Sequence, residues 1–283
     1  MADIGKFGVL RVVKSVDFGV YLDGGDLGEI LLPKRYVPAG VKPGDSLEVF
    51  LYFDSDDRLI ATTEKPLAKV GEFAYLKAVA VNPVGAFLDW GLPKQLLVPF
   101  REQGYPPMRE GRSYCVFIYL DAASRRIAAS ARLNKFLDDR PAPFIVGQEV
   151  DLFVYEKTDL GYKAVIENSH SGILYKNEIF RELEIGQHLR GFIHKIREDG
   201  KIDLRLEKPG YGKIAGLAEA ILDKLEANGG FLEVTDRSTP ETIAALFGAS
   251  KKAFKMAVGA LYKKRLIAIE KDGLRLAIPP SRT

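Results

Sequence analysis

Aromatic and basic side chains at regular spacing are the residues of this sequence whose types could bind a ligand. The stretch 18–23, Phe-Gly-Val-Tyr-Leu-Asp, places Phe18 and Tyr21 three positions apart, and a later polar segment carries Asp54 and Arg58. Aromatic rings stack on nucleic-acid bases with a gain of about 1–3 kcal/mol per base, while Arg and Lys contact phosphates. The pattern therefore predicts binding chemistry rather than catalysis.

This stretch recurs twice along the chain. A second version spans 84–89 and a third spans 160–165, each followed by an apolar segment. A glycine before the next apolar run marks the same point of each copy, at Gly44, Gly111 and Gly186. Internal repetition of this kind indicates tandem copies of one structural unit, so we expect three small domains in series.

Each copy has the pattern of five short strands. In the first copy, three apolar and β-branched runs precede an irregular connection with two prolines, and two more runs follow it. Five strands with a connection after the third are typical of the OB fold, a Greek-key barrel. We expect a mainly β chain with three five-stranded OB-type barrels, at 1–66, 67–133 and 134–208, where the last range begins with a proline-containing linker.

Alternation along the second strand of each copy predicts which side chains face outward. In the first copy Val20 faces the core and Tyr21 points away from it. Phe18 falls on the core face by the same rule, and it is either a core residue or turned outward by a bulge at Gly19. Tyr162 aligns with Val20 and is therefore expected in the core of the third barrel.

The tail, residues 212–283, changes from strand to helix periodicity. Apolar residues at helical spacing predict a helix at 214–227, and Thr239 followed by proline opens a second helix. Ser250 caps a third helix that runs to about Arg265, and an Asp-Gly turn within 266–278 predicts a hairpin. Three helices followed by a hairpin are the elements of an α+β winged helix.

The third helix of the tail is the most basic stretch of the sequence and contains no acidic residue. At about 100° per residue its polar side chains cluster on one face, opposite an apolar face that includes Phe254 and Leu261. The polar face consists of Lys251, Lys252, Lys255, Tyr262 and Lys263. This layout is typical of a recognition helix, and the alternative is a solvated lysine face.

The net charge of +3 is small but unevenly distributed. Residues 67–133 carry nine Lys and Arg against five Asp and Glu, and residues 212–283 carry twelve against eight. Residues 1–66 have the opposite balance, eight against eleven. If the chain binds a polyanion, we expect the second barrel and the winged helix to lead the binding, with Tyr21 as an auxiliary stacking residue.

Several classes of function receive no support from the sequence. The single cysteine, Cys115, excludes an intramolecular disulfide and favours a buried thiol in a reducing, cytoplasmic location. No apolar run approaches the ~20 residues that span a bilayer, so no membrane partner is expected. The three histidines lack metal-ligand spacing, and no phosphate loop of the Gly-x-x-x-x-Gly-Lys kind occurs. We expect neither an enzyme nor a bound metal or cofactor.

The order of motifs in each copy resembles the S1 RNA-binding domain. The shared features are the aromatic-Gly-x-aromatic-x-Asp strand, the apolar third strand, the Gly-Asp before the fourth strand and the polar tip that ends in Arg. Three such domains followed by a winged helix resemble the conserved virulence factor B family of bacterial RNA-binding regulators. The resemblance implies RNA binding in post-transcriptional gene expression and supplies no catalytic residues.

The S1 pattern also implies which positions face RNA: two aromatics around strand two, an aromatic on strand three, and an Asp and an Arg at the last hairpin. The strand-three position is Leu31 in the first copy and Leu97 in the second, so each barrel is an incomplete site. The matching residues are Phe18, Tyr21 and Arg58 in the first copy, Phe87, Arg125 and Arg126 in the second, and Lys163, Tyr175 and Lys201 in the third.

The leading hypothesis is a protein that holds single-stranded RNA by stacking and basic residues and regulates gene expression after transcription or during translation. Its partners would then include the ribosome or RNA-processing machinery. One alternative is a DNA-binding transcription regulator that uses the winged helix. Another is a protein-interaction scaffold on the translation machinery.

Overall fold

The computed structural model describes residues 2–179, 182–206, 212–235 and 237–277, and it contains three closed barrels and a C-terminal helical domain. The expected fold class, three five-stranded OB-type barrels and an α+β winged helix, is confirmed. The domain limits drawn from the sequence stay predictions.

The first barrel consists of β1 (Phe7–Val16), β2 (Gly19–Asp23), β3 (Glu29–Pro33), β4 (Ser46–Phe53) and β5 (Leu59–Thr62). It closes in the order β1-β2-β3-β5-β4, with β3 and β5 parallel. Along β2, Val20 is buried and Tyr21 is only partly buried, because successive side chains of a strand point to opposite faces. The predicted alternation is therefore confirmed.

The second and third barrels repeat this plan. The strands of the second are β6 (Phe73–Asn82), β7 (Gly85–Asp89), β8 (Leu96–Pro99), β9 (Ser113–Leu120) and β10 (Ile127–Ser130). The strands of the third are β11 (Glu149–Lys157), β12 (Gly161–Ile166), β13 (His170–Tyr175), β14 (His188–Ile196) and β15 (Ile202–Arg205). Tyr162 on β12 is buried, as its alignment with Val20 predicts.

The glycine at the start of the second strand has the same role in all three barrels. At Gly19, Gly85 and Gly161 an added Cβ atom would overlap a carbonyl oxygen of the neighbouring third strand. That oxygen belongs to the backbone of the sheet and cannot move without disturbing the ladder of hydrogen bonds. The repeated glycine is therefore required by the close approach of two strands.

The fourth strand of the first barrel is buried on both faces. Val49 and Leu51 pack in the core of their own barrel, whereas Phe50 and Tyr52 pack against the second barrel. The ring centroids of Phe50 and Trp90 lie 5.8 Å apart in an edge-to-face arrangement. A continuous hydrophobic cluster thus joins the first two barrels.

An aromatic cluster joins the second and third barrels. Phe117 on β9 has its ring centroid 4.8 Å from that of Phe73 and 4.3 Å from that of Phe136. Phe153 on β11 is buried in the same cluster. Asn168 of the third barrel adds a polar link, because its Oδ1 accepts a hydrogen bond from the Phe73 backbone N–H at 3.2 Å.

Cys115 lies at this second junction. Its side chain is half-buried, and burial raises the pKa of the thiol to about 12, against a smaller opposing effect of a hydrogen bond with the Gly186 backbone. The thiol is therefore protonated near neutral pH, as expected for a structural cysteine.

The C-terminal domain has, within its described residues, three helices and a three-stranded sheet. These are α1 (Gly212–Ala227), α2 (Pro240–Phe247), α3 (Lys251–Lys263), β16 (Phe231–Leu232), β17 (Ile267–Ile269) and β18 (Leu274–Leu276), with the strands in the order β16-β18-β17. The sequence pattern does not predict β16, since a strand of two residues shows no periodicity. The predicted hairpin extended to Ile278, which lies outside the described residues.

The predicted N-caps of the second and third helices are confirmed, whereas α1 begins two residues before the predicted position 214. Thr239 Oγ1 accepts a hydrogen bond from the Thr242 N–H at 3.2 Å, and Ser250 Oγ accepts one from the Ala253 N–H at 3.3 Å. Such N-caps satisfy backbone donors that the first turn of a helix leaves free. The apolar face of α3, which includes Phe254, packs into the core of this domain.

Replacing Gly85 by alanine is expected to lower the free energy of unfolding by about 1–3 kcal/mol. The added Cβ would overlap the Val98 carbonyl oxygen, so β7 and β8 would have to separate. Gly104→Ala is the matched control, because a Cβ at Gly104 meets open space. Urea unfolding followed by circular dichroism measures both variants, and equal midpoints would contradict the role assigned to Gly85.

Candidate nucleic-acid interface

Phe18 and Tyr21 lie side by side on the surface of the first barrel. Their ring centroids are 6.4 Å apart in an edge-to-face arrangement, and Phe18 is 57% exposed. Lys14, which pairs with Tyr21 across β1 and β2, has its Nζ 4.8 Å from the centroid of the Tyr21 ring. The structure therefore brings both predicted aromatics into one patch and adds a cation that the motif does not contain.

Phe18 is exposed because it belongs to a turn. Val16 at the end of β1 pairs with Gly19 at the start of β2, so Asp17 and Phe18 form the two-residue turn between them. Of the two orientations that the sequence leaves open, the outward one is found. Its cause differs from the expected bulge at Gly19, since the irregularity in this strand pair lies earlier, in β1.

Arg58 lies at the tip of the β4–β5 hairpin and is held by two carboxylates. Its guanidinium pairs with Asp54 at 2.8 Å and with Asp56 at 2.9 Å, yet its side chain is 71% exposed. Burial would raise the pKa of Asp54, but hydrogen bonds from Arg58 outweigh that effect and hold it below its usual range. Arg58 is accessible to a ligand, with its charge partly compensated.

Phe87 lies in a groove of about 810 Å³ between the first two barrels, which we call the second-barrel groove. One wall is the β7–β8 face, with Phe87 and Leu97, and the other is the β4–β5 hairpin, with Asp57. Arg101 and Arg126 also line this groove. The structure thus brings together Phe87 and Arg126, two residues that the sequence predicts as part of one site.

Asp57 reaches across the second-barrel groove from the first barrel. Its carboxylate pairs with Lys94 Nζ at 2.8 Å and with Arg126 Nη2 at 2.5 Å. The hydrogen bond from Lys94 lowers the pKa of Asp57, and the charge of Arg126 adds to this effect. The sequence motif does not reveal this contact, because it joins residues of two different repeats.

Arg125 and Arg126 are adjacent in sequence but differ in position. The Asp121 N–H donates to the Arg126 carbonyl as the Asp54 N–H donates to the Arg58 carbonyl, so Arg126 occupies the position of Arg58. Arg125 lies at the hairpin tip with a left-handed φ of 58° and does not line the groove.

Tyr175 on the third barrel does not lie opposite Lys163. In the β12–β13 pairing Lys163 faces Ile173, whereas Tyr175 pairs with Gly161. The residue that corresponds to Leu31 of the first barrel is therefore Ile173. Tyr175 lies two residues further along the strand than the motif alignment places it.

Both lysines predicted on the third barrel are paired with neighbouring acids. Lys163 Nζ donates to Glu156 at 2.9 Å, and this hydrogen bond raises the pKa of Lys163 in spite of partial burial. Lys201 pairs with Asp199 at 2.8 Å. Their charges are therefore partly compensated within the barrel.

Arg197 is the cationic residue that contacts Tyr175. Its guanidinium donates a hydrogen bond to the Tyr175 hydroxyl and pairs with buried Asp203 at 2.9 Å. Arg197 occupies the hairpin position of Asp54, because its backbone N–H donates to the Lys201 carbonyl. Sequence reasoning missed this residue. The available signal was Asp203, a carboxylate between the apolar residues Ile202 and Leu204 that requires a cationic partner when buried.

The basic face of α3 is exposed, as its periodicity predicts. Lys251 is partly exposed and its Nζ lies 3.5 Å from the Arg237 carbonyl oxygen. The exposed residues of this face are Lys252, Lys255, Tyr262 and Lys263.

Two further observations concern other classes of site. Among the described residues, no group of three His, Cys, Asp or Glu side chains could hold a metal ion. No helix in the described part of the chain is long and apolar enough to cross a membrane.

Two family models match this chain. Residues 4–64, which contain the first barrel, match the S1 domain, and residues 219–276 of the C-terminal domain match the CvfB-like winged helix domain. Both are nucleic-acid-binding types of domain. That the protein has no enzymatic activity stays a prediction.

Similar proteins cover most of the chain. The uncharacterized protein YitL of Bacillus subtilis is 27% identical over 90% of this chain and 87% of its own length. Conserved virulence factor B of Staphylococcus epidermidis is 23% identical over 82% of this chain and 80% of its own length. A crystal structure of a multidomain protein with nucleic acid binding domains from Streptococcus pneumoniae is 26% identical, with 96% and 98% coverage and a TM-score of 0.41. The predicted resemblance to the conserved virulence factor B family is confirmed.

Replacing Arg197 by alanine is expected to lower the free energy of unfolding by about 1–3 kcal/mol, because the buried Asp203 carboxylate loses its partner. Lys201→Ala is the matched control, since the exposed Lys201–Asp199 pair is worth only about 0–1 kcal/mol. Urea unfolding of both variants measures the difference. An equal loss in the two would contradict the assignment of Arg197 as the partner of Asp203.

Proposed function

We propose that this chain, a homologue of conserved virulence factor B with S1 and winged-helix domains, binds single-stranded RNA in post-transcriptional or translational regulation. The observation that carries the proposal is that aromatic rings on equivalent strands of the first two barrels, Tyr21 on β2 and Phe87 on β7, lie on surfaces that also carry cations. Rings stack on bases of any sequence, and cations attract phosphates. Bases in a duplex are already stacked, so such a surface favours a single strand.

On the first barrel, Phe18 and Tyr21 provide the stacking surface. Their rings are perpendicular, with an interplanar angle of 82°, so a base that stacks on one ring can meet the edge of the other. Lys14 and Arg58 supply positive charge on the same barrel, although each is paired with a carboxylate.

On the second barrel, Phe87 supplies the ring, and Arg101 and Arg126 supply the charge. The Arg101 side chain is 76% exposed, and its nearest carboxylate, that of Asp121, is 3.8 Å away. Arg101 can therefore turn toward a phosphate at little cost. The exposed charge of Arg101 beside Phe87 supports the leading role of this barrel in the proposal.

The basic face of α3 adds contacts to phosphates. The contribution of its exposed lysines is expected to depend strongly on salt, because it comes from contacts with phosphates. The same face could lie in the major groove of DNA, which is the second candidate function. Comparison of single-stranded RNA with duplex DNA separates the two.

The proposal extends to the location and the role of the protein in the cell. We assign the protein a place in the cytoplasm and a role near the ribosome or RNA-processing machinery, because a single-strand-binding surface without its own chemistry acts on RNA that other machinery uses. The half-buried, protonated thiol of Cys115 is consistent with a reducing compartment.

Titration of the full chain with single-stranded RNA and with duplex DNA of matched sequence tests the proposal by fluorescence anisotropy. Tighter binding to the RNA is expected, with an affinity that falls as salt rises because bound counterions are released. Equal or tighter binding to the duplex would favour the winged-helix DNA regulator and overturn the proposal.

In the same assay, Tyr21→Ala is expected to weaken RNA binding by about 1–3 kcal/mol, the loss of one stacked base. The salt dependence should not change, because no phosphate contact is removed. Val9→Ala is the control, since Val9 is an exposed apolar residue of the same barrel at 69% exposure. An equal effect of both variants would argue against stacking on Tyr21.

Asp57→Asn is expected to tighten single-stranded RNA binding up to about fivefold at low salt, the equivalent of one exposed ion pair. The change frees Lys94 and Arg126, and asparagine tolerates the left-handed φ of 58° at this position. Asp26→Asn removes the same charge from an exposed position of the same barrel where the described structure shows no ion pair. Tightening by Asp26→Asn to the same extent would show a general charge effect instead.

A further inference from the structure

A second groove, of about 1070 Å³, lies between the second and third barrels, and we call it the junction groove. Its lining includes four aromatic residues that no repeat motif contains: Phe100, Tyr105, Tyr114 and Tyr155. The first three belong to the second barrel and Tyr155 to β11 of the third. The groove lies outside the β7–β8 face described above.

Two of these aromatic side chains are strongly exposed to solvent. Phe100 is 62% exposed and Tyr105 is 97% exposed, whereas most rings of this size are buried in a core or an interface. Phe100 lies in the single helical turn Phe100–Glu102, directly after β8, so the backbone holds its ring at the rim of the sheet. Exposed rings on a shaped surface indicate a contact with a ligand.

The charges that line the junction groove leave a positive excess. The charged residues of the lining are Arg101, Arg132, Lys135 and Glu156. Lys135 is paired at 2.9 Å with Glu102, a buried residue outside the lining that Ser130 also holds at 2.7 Å, and Glu156 is paired with Lys163. Burial would raise the pKa of Glu102, but the hydrogen bonds from Ser130 and Lys135 outweigh it, so the acid stays ionised within an internal pair.

Arg101 and Arg132 are the cations left facing the groove. The Arg101 side chain is 76% exposed, and Arg132 is exposed with its Nε 3.5 Å from the Gln103 carbonyl oxygen. Aromatic rings interleaved with arginines suit a polyanion that carries flat bases.

Arg101 also joins the two grooves, because it lines both the second-barrel groove and the junction groove. β8 ends at Pro99, and the turn that follows carries Phe100 and Arg101 from one groove to the next. A single strand of RNA whose bases stack on Phe87 can therefore continue past Arg101 without leaving the protein surface.

We propose that single-stranded RNA bound on the face of the second barrel continues past Arg101 into the junction groove and stacks bases on Phe100 and Tyr105. This inference rests on the proposed function, since it extends the path of the same ligand. It assigns RNA-binding residues outside the repeated motif of the barrel. The binding footprint is then longer than one barrel face.

Anisotropy titration of the full chain with an unstructured oligouridylate of about 16 nucleotides, the upper end of a single OB-fold footprint, tests the path. Tyr105→Ala and Phe100→Ala are each expected to weaken binding about 5- to 150-fold, the loss of one stacked base. Tyr105→Phe is the matched variant and should bind like the unaltered protein, because it keeps the ring. Phe87→Ala serves as the reference for the face of the second barrel, and circular dichroism checks that each variant is folded.

The outcomes separate the two proposals. Weaker binding by both alanine variants, with full affinity of Tyr105→Phe, supports the path. Unchanged affinity of both alanine variants, with a loss for Phe87→Ala, would overturn the junction groove as an RNA site and leave the proposed function standing. A loss for Tyr105→Phe equal to that for Tyr105→Ala would overturn the stacking role. No binding of the oligouridylate by the unaltered protein would overturn both proposals.

Discussion

The arrangement of the three barrels depends on β-strands that pack on both faces, one against the core of their own barrel and the other against the neighbouring barrel. A barrel strand normally packs one face inward and leaves the other to solvent, but β4 has four consecutive buried residues, Val49 to Tyr52. Its outward pair, Phe50 and Tyr52, fills the space beside Trp90 of the second barrel. β9 makes a similar contact toward the third barrel with Phe117, although that side chain is only partly buried. Because removal of such rings from water strongly favours association, each barrel is stabilised by its neighbour.

This packing also determines the electrostatics of the candidate interface. With β4 held against the second barrel, the hairpin that follows it delivers Asp57 to Lys94 and Arg126. The charge of a segment is therefore a poor guide to the charge of a surface, since an acid of the negative first repeat neutralises cations of the positive second one. Arg101 lines the same groove, but among the described ion pairs Asp57 is joined to Lys94 and Arg126 and not to Arg101. Arg101 keeps its exposure, which makes it the more available cation of that barrel.

The candidate site was predictable to the extent that it follows strand alternation. Tyr21 points away from the core and Phe87 lines a surface groove because they occupy the outward position of β2 and β7, and the basic face of α3 follows from helical periodicity in the same way. Arg197 and Phe100 were not predictable from the motif. Arg197 stands where the motif has an aspartate, and the exposure of Phe100 depends on a turn that no periodicity describes.

The sequence by itself determined the repeated unit, the inward and outward faces of its strands, and the caps of the helices, because these depend on residues close together in the chain. The glycine at the start of the second strand is also determined locally, because the carbonyl oxygen that an added Cβ would overlap belongs to the third strand, the next strand along the chain. Only the tertiary structure decided which outward faces stay open and which are covered by another barrel. Those contacts, such as Phe50 with Trp90 and Asp57 with Arg126, join residues of different repeats. Alternation assigns a side chain to the outside of its own barrel and carries no information about what lies there.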